Sequence, residues 1–146
     1  MKSSQTVYAM DALIYPVIAL LCLILLVLLL TVTRRVRGAK RKAVPVKVFR
    51  TMQMTNVDEY YVTPGNNFNN LMQLPLLFIL FVLFCIVTNE IDMFYVVASW
   101  LFVASRYIHS LIHITVNNVL WRVVSYAVGT VVLFICWFRL LFSLTN

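Results

Sequence analysis

Long apolar runs alternate with short polar segments along the chain, and two of the runs carry no charged residue. One extends from Ala12 to Val32, and the other lies between Glu59 and Glu90. An α-helix needs about 20 apolar residues to cross a hydrocarbon core of roughly 30 Å, so both runs are long enough to span a membrane. The complete pattern predicts four spans, at about residues 12–32, 69–88, 92–117 and 119–142.

Composition supports the same class of protein. The chain has 146 residues, of which 62% are hydrophobic and 12% are charged, with a mean hydropathy of +0.91. This composition lies far from that of soluble globular domains, and the three glycines form no phosphate-binding loop. We therefore predict one domain over residues 1–146, an all-α membrane protein built as a four-transmembrane-helix bundle. A soluble catalytic domain or a nucleotide-binding fold has no room in it.

The net charge of +7 comes mainly from one segment between the first two spans. Eight of the twelve Lys and Arg residues lie there: Arg34, Arg35, Arg37, Lys40, Arg41, Lys42, Lys47 and Arg50. Basic residues accumulate in short cytoplasmic loops, so this pattern predicts membrane topology and contact with anionic lipid headgroups, and no nucleic acid partner. The loop, at about residues 33–67, is expected to be cytoplasmic, with both termini outside.

Two details of that loop bear on its structure. Val44-Pro45 and Thr63-Pro64-Gly65 predict turns instead of one long helix. A continuation of the first helix through Arg34 to Lys42 stays open.

The cysteines Cys22, Cys85 and Cys136 all lie in apolar runs without metal or redox spacing, so no disulfide is expected.

The third span carries polar residues that hydrocarbon disfavours. They follow a spacing of i, i+3, i+4, i+7 and i+11, at Arg106, His109, Ser110, His113 and Asn117. That spacing places them on one stripe of a helix, in the cytoplasmic third of the membrane. An ionisable side chain at such a depth costs a few kcal/mol unless it is paired or hydrated, so these residues are the informative ones in this span.

Two further polar groups share this depth. They begin the second and fourth spans, and comprise Asn66, Asn69, Asn70 and Gln73, and Arg122, Ser125 and Tyr126. Pro75 cannot donate to the carbonyl of Leu71, so we expect the second span to bend there. Arg139 lies near the outer end of the fourth span, where a long side chain is expected to reach the lipid headgroups.

Each group has a structural explanation when taken alone: snorkelling of Arg106, helix capping by the asparagines, or hydrogen bonds between helices. Their coincidence at one depth on three spans instead favours a polar site inside the bundle. Two arginines with amide and hydroxyl partners suit a ligand that carries carboxylates or a thiolate. The His109-xxx-His113 pair also has metal- or haem-ligand spacing, but no acidic residue or Cys accompanies it, so no metal is expected.

Three sequence segments together resemble the MAPEG family, the membrane-associated proteins of eicosanoid and glutathione metabolism. They are NNFNNLMQLPLLF at Asn66–Phe78, RYIHSLIH at Arg106–His113, and Arg122-Val-Val-Ser-Tyr126, in the order and spacing of bacterial members. The resemblance implies a homotrimer with glutathione as cosubstrate, bound between neighbouring subunits near the cytoplasmic face. Four spans barely enclose a polar site by themselves, which also favours an assembly.

The resemblance also implies roles for individual residues. Arg122 matches the arginine that activates the thiol, and Tyr126 matches the tyrosine one turn beyond it. The residues expected to bind glutathione are Asn70, Gln73, Arg106, His109, Ser110 and His113. Gln73 stands where bacterial members usually carry glutamate, and the loss of that charge weakens ligand binding by about 1 kcal/mol or somewhat more.

The resemblance, together with the polar site, implies a glutathione-dependent transferase or peroxidase, expected in a bacterial inner membrane. Its substrate would be a lipophilic small molecule, an electrophile that reaches the site from the bilayer. The alternative is a non-catalytic trimeric membrane protein whose polar pocket binds lipid headgroups or a partner. A haem or metal protein that uses His109 and His113 is the third interpretation, and it would give a coloured preparation.

Overall fold

A computed structural model describes residues 2–51 and 54–145. Over these residues the chain forms helices and no strand: α1 Lys2–Lys40, α2 Val48–Thr51, α3 Glu59–Leu71, α4 Leu74–Thr88, α5 Met93–Ile114 and α6 Val119–Thr145. The described part contains four segments that are long and apolar enough to cross a membrane, at Asp11–Lys40, Glu59–Thr88, Met93–Ile114 and Val119–Thr145. The predicted fold class, an all-α bundle with four membrane spans, is confirmed.

Helix α5 lies at the centre of the bundle and contacts α1, α3 and α6. Aromatic side chains fill much of the core, and Phe78 of α4 stacks on Phe102 of α5 with ring centroids 4.7 Å apart. The hydroxyl of Tyr107 donates to the carbonyl of Ala19 over 2.8 Å, which ties α5 to α1. Large apolar side chains such as Trp121 cover the outside, as expected for a protein whose solvent is lipid.

The sequence predicts turns at Pro64 and Gly65, but both residues lie inside α3. Pro64 has no N–H to donate to the carbonyl of Tyr60, and Nη1 of Arg34 donates to that carbonyl instead, over 3.1 Å. At Gly65 the Arg35 guanidinium lies so close that an added Cβ would be 3.3 Å from its Cζ. The prediction was wrong because Arg34 of α1 provides the missing donor and Arg35 of α1 occupies the space beside the glycine.

The basic segment between the first two spans is shorter than the loop expected at residues 33–67. Helix α1 continues to Lys40, and α3 begins at Glu59, so residues 41–58 connect them and include α2. The first basic residues of the cluster therefore extend a helix, which was the alternative that the sequence left open. This extension brings Arg34 and Arg35 alongside α3.

The second span consists of two helices that meet at a break. Helix α3 ends at Leu71, where the N–H of Met72 donates to the carbonyl of Phe68 over 3.1 Å. Helix α4 begins at Leu74, and Pro75 lies in its first turn, where a missing N–H costs no hydrogen bond. The sequence expects a bend at this proline, and the structure has an interruption just before it.

The opposite end of the bundle is closed by a turn between α4 and α5. Asp92 caps α5 by accepting a hydrogen bond from the N–H of Tyr95 over 3.0 Å. The guanidinium of Arg139 donates to the other carboxylate oxygen of Asp92 and lies 4.7 Å from the Tyr95 ring centroid. Arg139 therefore has a protein partner at this end of the bundle, and its reach to the lipid headgroups stays a prediction. The hydrogen bond from Arg139 also lowers the pKa of the Asp92 carboxyl below its usual range.

Candidate functional site

The polar stripe of α5 faces the interior of the bundle. Arg106, His109, Ser110 and His113 are each at most 4% exposed. They lie against α3 on one side and the first turns of α6 on the other. The helical spacing seen in the sequence therefore corresponds to one buried polar surface, and the structure differentiates the roles of its members.

Arg106 is held by the backbone of α6. Its Nη2 donates to the carbonyls of Ser125 and Tyr126 over 3.1 and 2.9 Å, and its Nε donates to the Ser105 hydroxyl over 3.3 Å. The guanidinium carbon lies 4.7 Å from the Tyr126 ring centroid, an arrangement that stabilises a cation. Gly129 makes this approach possible, since a Cβ there would lie 2.6 Å from Nη2. These contacts make Arg106 a link between α5 and α6.

His109 connects the stripe to Arg122. Its Nδ1 lies 3.0 Å from the carbonyl oxygen of Arg122. A carbonyl can only accept, so Nδ1 carries the hydrogen, and in the neutral ring Nε2 is then a hydrogen-bond acceptor. Nε2 is buried and has no hydrogen-bond partner within the described chain. His109 therefore offers an acceptor atom to a ligand.

A second buried polar contact joins α5 to α3. The hydroxyl of Ser110 donates to Oδ1 of Asn67 over 3.2 Å, and Asn67 is completely buried. Among the residues that the structure describes, Nδ2 of Asn67 and both ring nitrogens of His113 are buried without a hydrogen-bond partner. Asn67 was not predicted as a site residue, because the loop between the first two spans was expected to extend to it. The available signal was the helical spacing of Asn67 with Pro64 and Leu71, which are also buried.

Arg122 lies in the first turn of α6 and points to the turn between α5 and α6. Its Nη1 donates to Oδ1 of Asn117 over 2.9 Å, and Nδ2 of Asn117 donates to Oε2 of Glu59 over 3.1 Å. Nε of Arg122 is buried and has no partner in the described part of the chain. Sequence reasoning included Asn117 in the stripe but missed Glu59, because nothing in the sequence relates it to α6.

A cavity of about 190 Å³ opens between α3, α5 and α6. It is lined by Asn70, His109, Val119, Arg122, Val123 and Tyr126. Four of the eight predicted site residues thus surround one space. The other four do not line it: Gln73 is exposed at the break between α3 and α4, and Arg106, Ser110 and His113 are buried elsewhere along the stripe.

The lining combines a guanidinium, an amide, a phenol and an imidazole with two valines. Such a wall can bind an anion at Arg122 while it accepts an apolar group against Val119 and Val123. Binding sites for small molecules commonly have volumes of about 300–1,000 Å³, so this cavity of about 190 Å³ is smaller than most of them. Val119 and Val123 are exposed on its open side.

Metal or haem binding by His109 and His113, the third interpretation of the sequence, has less support. Within the described ranges, no group of three or more His, Cys, Asp or Glu side chains is arranged to hold a metal ion. The rings of His109 and His113 have centroids 5.8 Å apart, and Nδ1 of His109 is engaged by the Arg122 carbonyl.

Comparison with known proteins gives one match. The sequence model of the MAPEG family matches residues 13–142, which is nearly the whole chain and covers most of each of the four spans. No curated protein and no solved structure matches the chain. Members of this family are generally oligomeric and embedded in membranes.

Proposed function

The chain belongs to the MAPEG family, and we propose that it is a glutathione-dependent transferase or peroxidase that acts on lipophilic electrophiles. The observation that carries this proposal is the cavity in which Arg122 lies with Asn70, His109 and Tyr126. The spacing of these residues further favours a bacterial-type member. The basic end of α1 favours an inner membrane location with the cavity on the cytoplasmic side and both termini outside.

In the proposed reaction, Arg122 stabilises the thiolate of glutathione. A thiol has an ordinary pKa of about 8.5, and a guanidinium nearby in a medium of low dielectric favours its ionised form. The thiol proton leaves to solvent, and the sulfur then attacks the electrophile. A new bond to sulfur forms as the leaving group departs with its electron pair. Tyr126, which lines the same cavity, can donate a hydrogen bond to the sulfur.

The remaining site residues bind or position the cosubstrate. Asn70 and the Nε2 acceptor of His109 would orient the polar part of the tripeptide. Arg106 would act on the site through its contacts with the α6 backbone beside Tyr126. Ser110 and His113 would support the α3 side of the site, and the exposed Gln73 would contact a ligand shared with a neighbouring subunit.

A homotrimer would complete this site. The cavity of one chain is too small for glutathione, and its open side carries exposed apolar residues such as Val119 and Val123. Lipid tails cannot satisfy the polar atoms in the cavity, whereas a neighbouring helix can. Crosslinking in native membranes should therefore give a trimeric species. A ladder that ends at dimers would contradict this assembly.

Difference absorbance of the purified protein with and without millimolar glutathione tests the function directly. A bound thiolate should be visible at neutral pH in the wild type. Arg122→Lys should keep much of the glutathione affinity, raise the pKa of the bound thiol and lower kcat, because an ammonium is a hydrated point charge without the planar fork. Arg139→Lys, at the opposite end of the bundle, is the matched control and should behave as the wild type.

The second candidate function is a non-catalytic trimer whose pocket binds lipid headgroups or a partner. It is favoured by Gln73, a neutral residue where the resemblance implies a carboxylate. Absence of a thiolate signal in the wild type at millimolar glutathione would select this alternative. If kcat with an aromatic electrophile were unchanged in Arg122→Lys, Arg122 would be a binding residue and its catalytic assignment would be wrong.

A further inference from the structure

We propose that Asn117 and Glu59 are positioning residues that fix the Arg122 guanidinium beside the cavity that Arg122 lines, without forming an ion pair with it. The proposal rests on the proposed function, in which Arg122 stabilises the thiolate, and it identifies the residues that orient this arginine. It is carried by two consecutive hydrogen bonds, from Arg122 Nη1 to Asn117 Oδ1 and from Asn117 Nδ2 to Glu59 Oε2.

Asn117 is a rigid support for these bonds. Its backbone is left-handed, with φ of 49°, a conformation that asparagine adopts more readily than most residues. Its N–H donates to the carbonyl of Ile112 over 2.8 Å and closes the end of α5. An arginine side chain carries about 2 kcal/mol of rotamer entropy, so an acceptor fixed in this way selects one orientation of the guanidinium.

Glu59 determines which way the amide of Asn117 points. A carboxylate only accepts hydrogen bonds, so it must face the NH₂ group, and this leaves Oδ1 toward the donors of Arg122. The flipped amide would set NH₂ against the guanidinium and oxygen against the carboxylate, and both contacts would be repulsive. The acidic residue therefore orders the arginine through the amide.

The amide spacer also keeps the charge of Arg122 available. In the described chain the ion pair present joins Arg139 to Asp92, and no carboxylate forms one with Arg122. A carboxylate in direct contact would offset the guanidinium charge and weaken its effect on a bound thiolate. The bridge thus restrains the side chain while it leaves the positive charge for the ligand.

The side chain of Asn117 is not needed to form the turn itself. Capping of α6 is provided by Asn118, whose Oδ1 accepts from the N–H of Trp121 over 3.2 Å. The Asn117 side chain instead makes hydrogen bonds to two other side chains, those of Arg122 and Glu59. A purely structural role in the turn would not need this pair of partners.

The test compares Asn117→Gly, which permits the left-handed backbone and deletes the bridge, with Asn117→Asp, which keeps the acceptor for Arg122. The control is Thr115→Ala in the same turn, whose hydroxyl bonds within its own helix. The first readout needs no glutathione: the rate at which phenylglyoxal modifies Arg122, followed by peptide mapping of the detergent-solubilised protein. We expect Asn117→Gly to raise this rate several-fold, and Asn117→Asp and Thr115→Ala to leave it near the wild-type rate.

The second readout is the pKa of bound glutathione, from thiolate absorbance against pH. Asn117→Gly should raise it and lower kcat about 10-fold or more with a smaller change in KM, because misplacing a catalytic group by about 1 Å costs up to 100-fold. Asn117→Asp should also raise it, since a carboxylate then contacts the arginine. Failure of the wild type to form any thiolate would refute the proposed function and leave the modification rates to decide on positioning. Equal rates for Asn117→Gly and the wild type would overturn the present proposal.

Discussion

At Gly129 we expect a Gly→Ala substitution, which usually stabilises a helix, to destabilise the protein. Gly129 lies in the middle of α6, and replacing a helical glycine by alanine ordinarily stabilises a helix by about 1 kcal/mol. Here the new Cβ would overlap the Ser105 hydroxyl oxygen and would lie 2.6 Å from Nη2 of Arg106, well inside ordinary contact distance. Either the buried guanidinium moves or α6 separates from α5. We therefore expect Gly129→Ala to destabilise the fold.

The size of the effect follows from the contacts that would be lost. Nη2 of Arg106 donates to the carbonyls of Ser125 and Tyr126, and hydrogen bonds to charged groups contribute about 1.5–3 kcal/mol each. Removing a partner from a buried charge costs about 3–5 kcal/mol. After the gain of about 1 kcal/mol in helix propensity, the net loss in the free energy of unfolding is about 2–4 kcal/mol.

The assay is unfolding of the detergent-solubilised protein by sodium dodecyl sulfate, followed by far-UV circular dichroism. A double-mutant cycle with Arg106→Met separates the clash from other effects. In that background the contact with the guanidinium is gone and the contact of the Cβ with the Ser105 hydroxyl remains, so Gly129→Ala should cost less stability than it does in the wild type. If Gly129→Ala alone were as stable as the wild type, the close packing of Arg106 on α6 would be refuted.

Three further predictions concern other parts of the bundle. The pKa of Asp92 is lowered in the fold, so its ionised carboxylate stabilises the protein above the unfolded pKa of about 3.9, and this stability is lost as pH falls through the folded pKa. Asp92→Asn keeps a capping side chain and removes the ion pair with Arg139. It should abolish this acid dependence of Tm and lower the free energy of unfolding by about 0–1 kcal/mol at neutral pH. Retention of the wild-type acid slope would contradict the ion pair. His113→Leu should leave Tm unchanged or raise it, because both ring nitrogens are buried without partners in the described chain. A decrease of more than about 2 kcal/mol in the free energy of unfolding would instead show that the imidazole has a hydrogen-bond partner. Cysteines introduced at Lys40 and Lys42, after replacement of the native cysteines, should resist an impermeant thiol reagent in intact cells, whereas rapid labelling would invert the topology.

The spans and the polar surface of α5 follow from the sequence alone. Uncharged runs of about 20 residues must leave water, and polar side chains spaced by helical turns within such a run must avoid lipid. The stripe that begins at Arg106 was predictable for this reason. The position of Arg122 at the same depth in the membrane was predictable as well. Both inferences need only local periodicity and the cost of polar groups in hydrocarbon.

Tertiary structure decided which groups become partners. Pro64 sits within a helix in which Arg34 donates to the carbonyl of Tyr60, a residue 26 positions further along the chain than Arg34. The guanidinium of Arg106 meets α6 backbone carbonyls where Gly129 leaves space, and Glu59 meets Asn117 from 58 residues away. Periodicity fixes the direction of a side chain around its own helix. The choice of partner depends on how far each helix is shifted and rotated against its neighbours, which only the packing of the whole bundle determines.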